Sequence, residues 1–459
     1  MKSNFLILFL LISNLCIAQN KYGNTWVTGN GKPYKISFTP NFTIEYFDST
    51  FSGYCFANGA TISDTSGNLL LCTNGFNIFN YKKNVIPNGD SICSSNYNIY
   101  YNNCNVSFQS SIFLPFDSNI IYEINPAVSD TEWVNWFIPF KGARFDILYA
   151  HKIDMNANNG DGAVIQKKIT ILQGPKLSKS GMTACRHANG VDWWLVKQGS
   201  DSNILYSFLV QKDTILGPFI QKFTEPHYTV YDRSGQSKFS QDGTRFANNN
   251  EQPNKVFVAN FDRCHGTFSN PKVFNIPELQ NDTASADTTK DRLPRGLEFS
   301  PNGKYLYVIM ATKIFQLEID EPDSSLAWVW VADKDTPVVF SQYSSSDLGP
   351  DGKLYIGYWS GVAEDNWSTI DNPNNKGIAC NFCKKCITFP WFNTKSPPNM
   401  PNYNLGASAD SCWPLSIPII EKKENEFLVY PNPTFNNFNM HIESNINFNF
   451  NIEIYNAQG

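Results

Sequence analysis

A chain of 459 residues with 42% hydrophobic and 15% aromatic side chains, against 17% charged ones, can bury a large core. Its formal charge of −5 and its lack of any basic run argue against a nucleic-acid partner, because neutralising phosphates takes clustered Lys and Arg.

Residues 1–18 read as a signal peptide: Lys2 is the charged start, Phe5 to Ile12 an unbroken apolar run, and Cys16-Ile17-Ala18 a small-residue cleavage site before Gln19. Ser13 and Asn14 interrupt the apolar run well short of the about 20 residues that a membrane-spanning helix needs. Cys16 follows Asn14-Leu15 instead of a small residue, which argues against lipid attachment there. No later segment reaches membrane length, so no membrane span is expected in the exported chain.

From there the chain repeats one local plan: a strand, a tight turn and a second strand. Short forms stand at Asp64 to Gly67 before Leu69-Leu70-Leu71, at Asp117 to Asn119 before Ile120-Ile121-Tyr122, and at Asn189-Gly190 before Trp193 to Val196. Fuller forms are FSQDGTRFA (239–247), FSPNGKYLYVI (299–309) and LGPDGKLYIG (348–357). Pro301 supplies the fixed φ of a type I turn, and Gly303 the positive φ that closes a hairpin with a one-residue bulge. Tyr305 to Ile309 are β-branched and aromatic enough for a strand buried on both faces.

No such hairpin buries its own apolar face, so the copies must pack on one another. With Gly67, Ser118, Gly190, Gly243, Gly303 and Gly352 as markers, the spacings are 51, 72, 53, 60 and 49 residues, a mean of (352 − 67)/5 = 57. That is the length of a four-stranded propeller blade with its loops. The 393 residues from Gly23 to Leu415 hold close to seven such units. The expected fold is therefore all-β, a β-propeller over residues 19–415 with seven blades, six or eight being the alternatives.

Chemical motifs are sparse. Asp154 to Ile165 opens like a calcium loop, but Asn159 stands where a helix-loop-helix site wants Gly and Ile165 cannot chelate, so a turn between strands is the expectation and calcium the alternative. No metal site and no catalytic residue is assigned: there is no Gly-x-Ser-x-Gly elbow, no His-Glu-x-x-His and no glycine-rich phosphate cradle. His187 is the best-placed histidine, with hydrogen-bonded packing as its expected role. Ten cysteines remain after the leader, 11 − 1 = 10, and an even number in an exported chain invites disulfides. Cys93 with Cys104 is the expected pair, and Cys380, Cys383, Cys386 and Cys412 are further candidates. Trp133 and Trp136 in a loop-like insertion (130–140), with Trp359 and Trp367 near the last blade, are candidate binding residues, because exposed rings stack on sugars or fill a partner's pocket. Burial between blades is the first reading for them and ligand stacking the second. Trp193 and Trp194, consecutive on a strand, should point to opposite faces.

Residues 416–426 form a charged linker, and 427–459 a separate unit in which Phe448, Phe450, Ile452 and Ile454 alternate with polar residues as in a strand with one apolar face. Tyr430-Pro431-Asn432-Pro433, the spaced strands and the closing IYNAQG resemble the first part of the C-terminal sorting domain of the type IX secretion system of Bacteroidetes, over residues 427–459. The body, through GATISDTSGNLLLCTNGFNIFNYKKNVIPNG (59–89), QSSIFLPFDSNIIYEI (109–124) and MPNYN (400–404), is similar to propeller proteins carried by that system. The resemblance implies an outer-membrane translocon as partner and a secreted or cell-surface location, reached through the periplasm. The functional expectation is a non-catalytic binding module for a glycan or protein, needing no cofactor. The alternative is a metal-dependent hydrolase or lyase of lactonase type with its site in the central channel.

Overall fold

Among the described residues, apolar runs separated by tight turns fold into antiparallel meanders. The computed structural model describes residues 21–29, 32–47, 59–103, 109–117, 119–140, 144–200, 203–224, 235–249, 255–277, 294–333, 341–360, 365–390, 396–408, 412, 426–430 and 439–443. The chain divides into two compact units, Met1–Ser411 and Cys412–Gly459. In the second, β26 (Glu426–Tyr430) and β27 (Asn439–Glu443) pair antiparallel, which places Tyr430 in a strand; Pro431, Asn432 and Pro433 lie outside the described residues.

Among the described residues of the first unit, seven meanders follow one another. Blade 1 holds β1 (Thr25–Thr28), β2 (Tyr34–Ser37) and β3 (Thr43–Tyr46), and blade 2 holds β4 (Ala60–Ser63), β5 (Leu69–Thr73) and β6 (Ile78–Asn80). Blade 3 is β7 (Ile112–Pro115), β8 (Ile120–Ala127), β9 (Phe145–Asp154) and the first part of β10 (Ala163–Arg186). Blade 4 is the rest of β10 with β11 (Trp193–Gly199), β12 (Ile204–Val210) and β13 (Ile215–Lys222). Blade 5 runs from β14 (Ser237–Phe239) through β15 (Arg245–Asn249) and β16 (Lys255–Asp262) to β17 (Thr267–Asn275). Blade 6 has β18 (Pro294–Phe299), β19 (Tyr305–Met310), β20 (Lys313–Glu318) and β21 (Trp328–Asp333); blade 7 has β22 (Ser341–Leu348), β23 (Leu354–Ser360), β24 (Asn366–Ile370) and β25 (Phe382–Thr388).

The 24 residues of β10 serve two blades, pairing with β9 from Ala163 to Leu177 and with β11 from Leu177 to Arg186. The first strands of successive blades lie side by side, β4 with β7, β10 with β14, β14 with β18 and β18 with β22, around a channel. This is a β-propeller, and the count of its described blades agrees with the spacing of the sequence markers. The turns after β14, β18 and β22 occupy like corners: Gly243, Gly303 and Gly352 have φ of 72°, 69° and 79°. Each donates its N–H to the carbonyl three residues back.

Apolar layers between blades form the core. Trp193 and Trp194 do point apart, Trp193 into the core running through blades 1 to 4 and Trp194 into the layer with Phe246 and Phe261 of blade 5. Blade 1 closes the ring through Trp26, whose buried ring lies 5.3 Å from Tyr355 and 6.4 Å from Trp367 of blade 7. Beside β1, residues 396–403 fill the place of an innermost strand: Thr28 Oγ1 donates to the Ser396 carbonyl (2.7 Å), and Tyr403 packs on Tyr22 (5.9 Å) at the far end. Pro397, Pro398 and Pro401 have no N–H to give a regular ladder, so scattered backbone and side-chain hydrogen bonds hold this segment. Asn399 Nδ2 donates to the carbonyls of Ser111 (3.0 Å) and Met182 (3.1 Å), and its backbone N–H to Gly59 (3.1 Å), tying blades 2, 3 and 4 from within. Among the described residues, no helix is long and apolar enough to cross a membrane.

Candidate ligand site at the channel mouth

The three full turns carry a charged residue at one shared position. Five residues before Gly243, Gly303 and Gly352 stand Lys238, Glu298 and Asp347. They lie near the ends of three neighbouring first strands, one register step before the turn. The apolar residue after each, Phe239, Phe299 and Leu348, points the opposite way because strand side chains alternate. All three charged groups are buried, and Lys238 Nζ lies 2.6 Å from Asp347 Oδ2 and 2.8 Å from Glu298 Oε2. The cluster was missed in the sequence, although the constant five-residue offset was a usable signal.

Burial opposes every charge in this cluster. On Lys238 the two carboxylates outweigh burial and hold the ammonium charged above its ordinary range. On Glu298 burial outweighs the attraction of Lys238 and pushes the carboxyl up to about 7, and burial raises Asp347 too. With one cation for two acids, the cluster has one negative charge in excess, which a proton on Glu298 cancels. A cavity of about 120 Å³ adjoins it, bordered by Asn24, Gln241, Asn402, Tyr403 and Asn404 with Met400 and Pro401. A divalent cation does not fit the residues present, since the Lys238 ammonium already stands between the carboxylates. No group of three or more His, Cys, Asp or Glu suited to a metal occurs among the described residues.

A second buried pair lies inside blade 3. Glu123 of β8 faces His151 of β9 in register, both without exposure, with Nε2 and Oε2 3.9 Å apart, beyond hydrogen-bond reach. The Lys168 N–H donates to His151 Nδ1 (3.1 Å), which leaves the imidazole proton on Nε2. Burial pushes Glu123 up to about 8 and His151 down to about 3, so both are neutral near pH 7. His187 is buried with Nε2 3.1 Å from the Cys264 carbonyl, the packing role expected of it.

The aromatic candidates are not brought together. The stretch 130–140 is helical where a loop was expected: Ser129 caps it, its Oγ accepting from Glu132 N–H (3.2 Å). Trp133 stacks on Phe137 with centroids 4.4 Å apart, and the Arg144 guanidinium lies 3.2 Å over Trp136, so neighbours already cover part of both rings. Trp367 follows the burial reading and is corrected as a binding candidate: it is a fully buried core residue against Trp26 (6.4 Å) and Phe389 (5.0 Å). The side chain of Trp359 lies outside the described residues.

The cysteine expectations are corrected also. Cys412 is disulfide-bonded, and so is Cys264, which was not among the candidates. Cys93, Cys380, Cys383 and Cys386 are free thiols. The Cys93 thiol is buried and turned inward to donate to the Gly75 carbonyl; Cys104 lies outside the described residues. Cys386 Sγ donates to the Cys383 carbonyl (3.3 Å) and lies 3.2 Å from Thr369 Oγ1. The stretch 154–165 is the turn joining β9 to β10, with Asp154 accepting from Asn156 N–H (2.8 Å) and Asp161 paired with Lys82 (2.7 Å).

No family model and no curated protein matches the chain. Among solved structures it is similar to a candidate 6-phosphogluconolactonase from Bacteroides uniformis, at 12% identity and TM-score 0.45 over 82% of this chain and 98% of that one. A like-named protein from Bacteroides fragilis gives 12% and 0.45 over 81% and 96%. Hsv2 of Kluyveromyces lactis gives 11% and 0.39 over 76% and 90%.

Proposed function

We propose that this chain is an exported, secreted or cell-surface propeller that binds a glycan or protein without transforming it, carried out through the type IX route. Support for the route comes from the leader at 1–18 and the Tyr430–Pro433 motif. The observation that carries the binding reading is Lys238: the channel mouth holds two carboxylates but supplies their counter-charge internally, where a metal-dependent enzyme needs its cation. One observation favours a second reading, a metal-free propeller hydrolase: a carboxyl near neutral pKa beside a cavity suits a general acid. The test is to offer the mature chain a panel of lactones and esters alongside glycan and protein arrays. Saturable binding with no turnover above background is expected; turnover abolished by Glu298→Gln would replace the binding reading with the hydrolase. For the route, a fluorescent protein placed between the 1–18 leader and residues 416–459 should reach the surface or medium of a type IX-competent cell, and retention in the periplasm would refute it.

A further inference from the structure

Resting on that binding reading, we infer that the channel mouth receives one end of a neutral, hydroxyl-rich ligand: a single sugar residue at the tip of a glycan. The charges narrow the choice first. The one ammonium is engaged by two carboxylates, so the cluster offers no free cation to hold an anion. The Lys238 contacts of 2.6 and 2.8 Å occupy the place a metal dication would take. Size narrows it further, since about 120 Å³ holds the edge of one small ring and excludes a folded peptide loop.

The lining then selects the chemistry. Asp347 and Glu298 accept hydrogen bonds, and the amides of Gln241 and Asn404 at the border both donate and accept. A sugar hydroxyl does both as well, so one ring edge can satisfy the mixed set. Phe239, Pro350, Met400 and Pro401 give apolar wall for the C–H face of the ring.

The test uses saturation-transfer NMR and calorimetry on the mature chain, with the methyl glycosides of glucose, galactose, mannose and N-acetylglucosamine as probes. At least one should bind, and Gln241→Ala and Asn404→Ala should each weaken it about five- to tenfold, the worth of one hydrogen bond. Both variants should keep the parent unfolding midpoint, because these side chains border solvent. Asp347→Asn should weaken binding too, but the rim pair decides the matter if that variant fails to fold. The inference is overturned if no glycoside binds, or if binding ignores both rim substitutions. Binding that ignores the rim, or binding only to a protein, would leave the binding reading standing and remove this site; turnover of a glycoside would remove the reading itself.

Discussion

Lys238 lets two acids share a buried pocket, and its removal is the sharpest residue-scale test of the mouth. Lys238→Met leaves Glu298 and Asp347 without a counter-charge, and the expected loss is about 3–5 kcal/mol of unfolding free energy at neutral pH. Urea unfolding measures it, and the loss should shrink near pH 5 as the carboxyls take up protons. A variant as stable as the parent at pH 7 would mean the ammonium does not hold them. Glu123 makes the opposite kind of prediction. Its folded carboxyl titrates near 8 against an ordinary 4.5, so the folded state holds the proton more tightly. That contribution is complete below about pH 4.5 and is lost as pH rises through about 8. Glu123→Gln removes the penalty of ionising, and should be more stable than the parent by about 2–4 kcal/mol near pH 9 and no more stable near pH 4. Equal differences at both pH values would refute the shift.

At the scale of elements, the glycine turns were legible because their chemistry is local: a positive φ excludes most side chains wherever the fold puts the turn. What differs among turns is the neighbourhood. Gly352 has φ +79° and open space around its Cα, so Gly352→Ala should cost only the backbone term, about 1 kcal/mol. Gly266, at φ +68°, would place a Cβ 2.5 Å from the Trp194 ring. Gly266→Ala must also displace that ring, at about 2–4 kcal/mol in all. Thermal unfolding of the two variants compares them, and equal midpoints would show that Trp194 yields freely. The helical insertion at 130–140 was not legible, since Trp133 and Trp136 suggested loop aromatics while the Ser129 cap and the cover from Phe137 and Arg144 made them part of a folded turn.

For the whole molecule, closure is the weak point of any ring, and here both parts of blade 1 come from opposite ends of the chain. A chain ending at residue 395 loses the segment that lies along β1 and the Asn399 bonds to three blades. It should unfold in a broad, poorly cooperative transition, whereas a chain ending at residue 411 should keep a single sharp one. Circular dichroism melts of the two truncations separate these outcomes. If the shorter chain melts as sharply, residues 396–403 decorate the ring and do not close it. The blade count came from spacing alone because each blade is a near-neighbour meander of similar length.

From the residues alone came the repeated hairpins, their number and the identity of their turns, since those depend on backbone preferences and on contacts close along the chain. Only the folded ring decided the Lys238, Glu298 and Asp347 cluster, the burial of Trp367 and the docking of Ser396 beside Thr28. Each of these joins residues from different blades or from opposite ends of the chain. Such contacts leave no local periodicity, because they arise only when separate sheets are brought round a common axis.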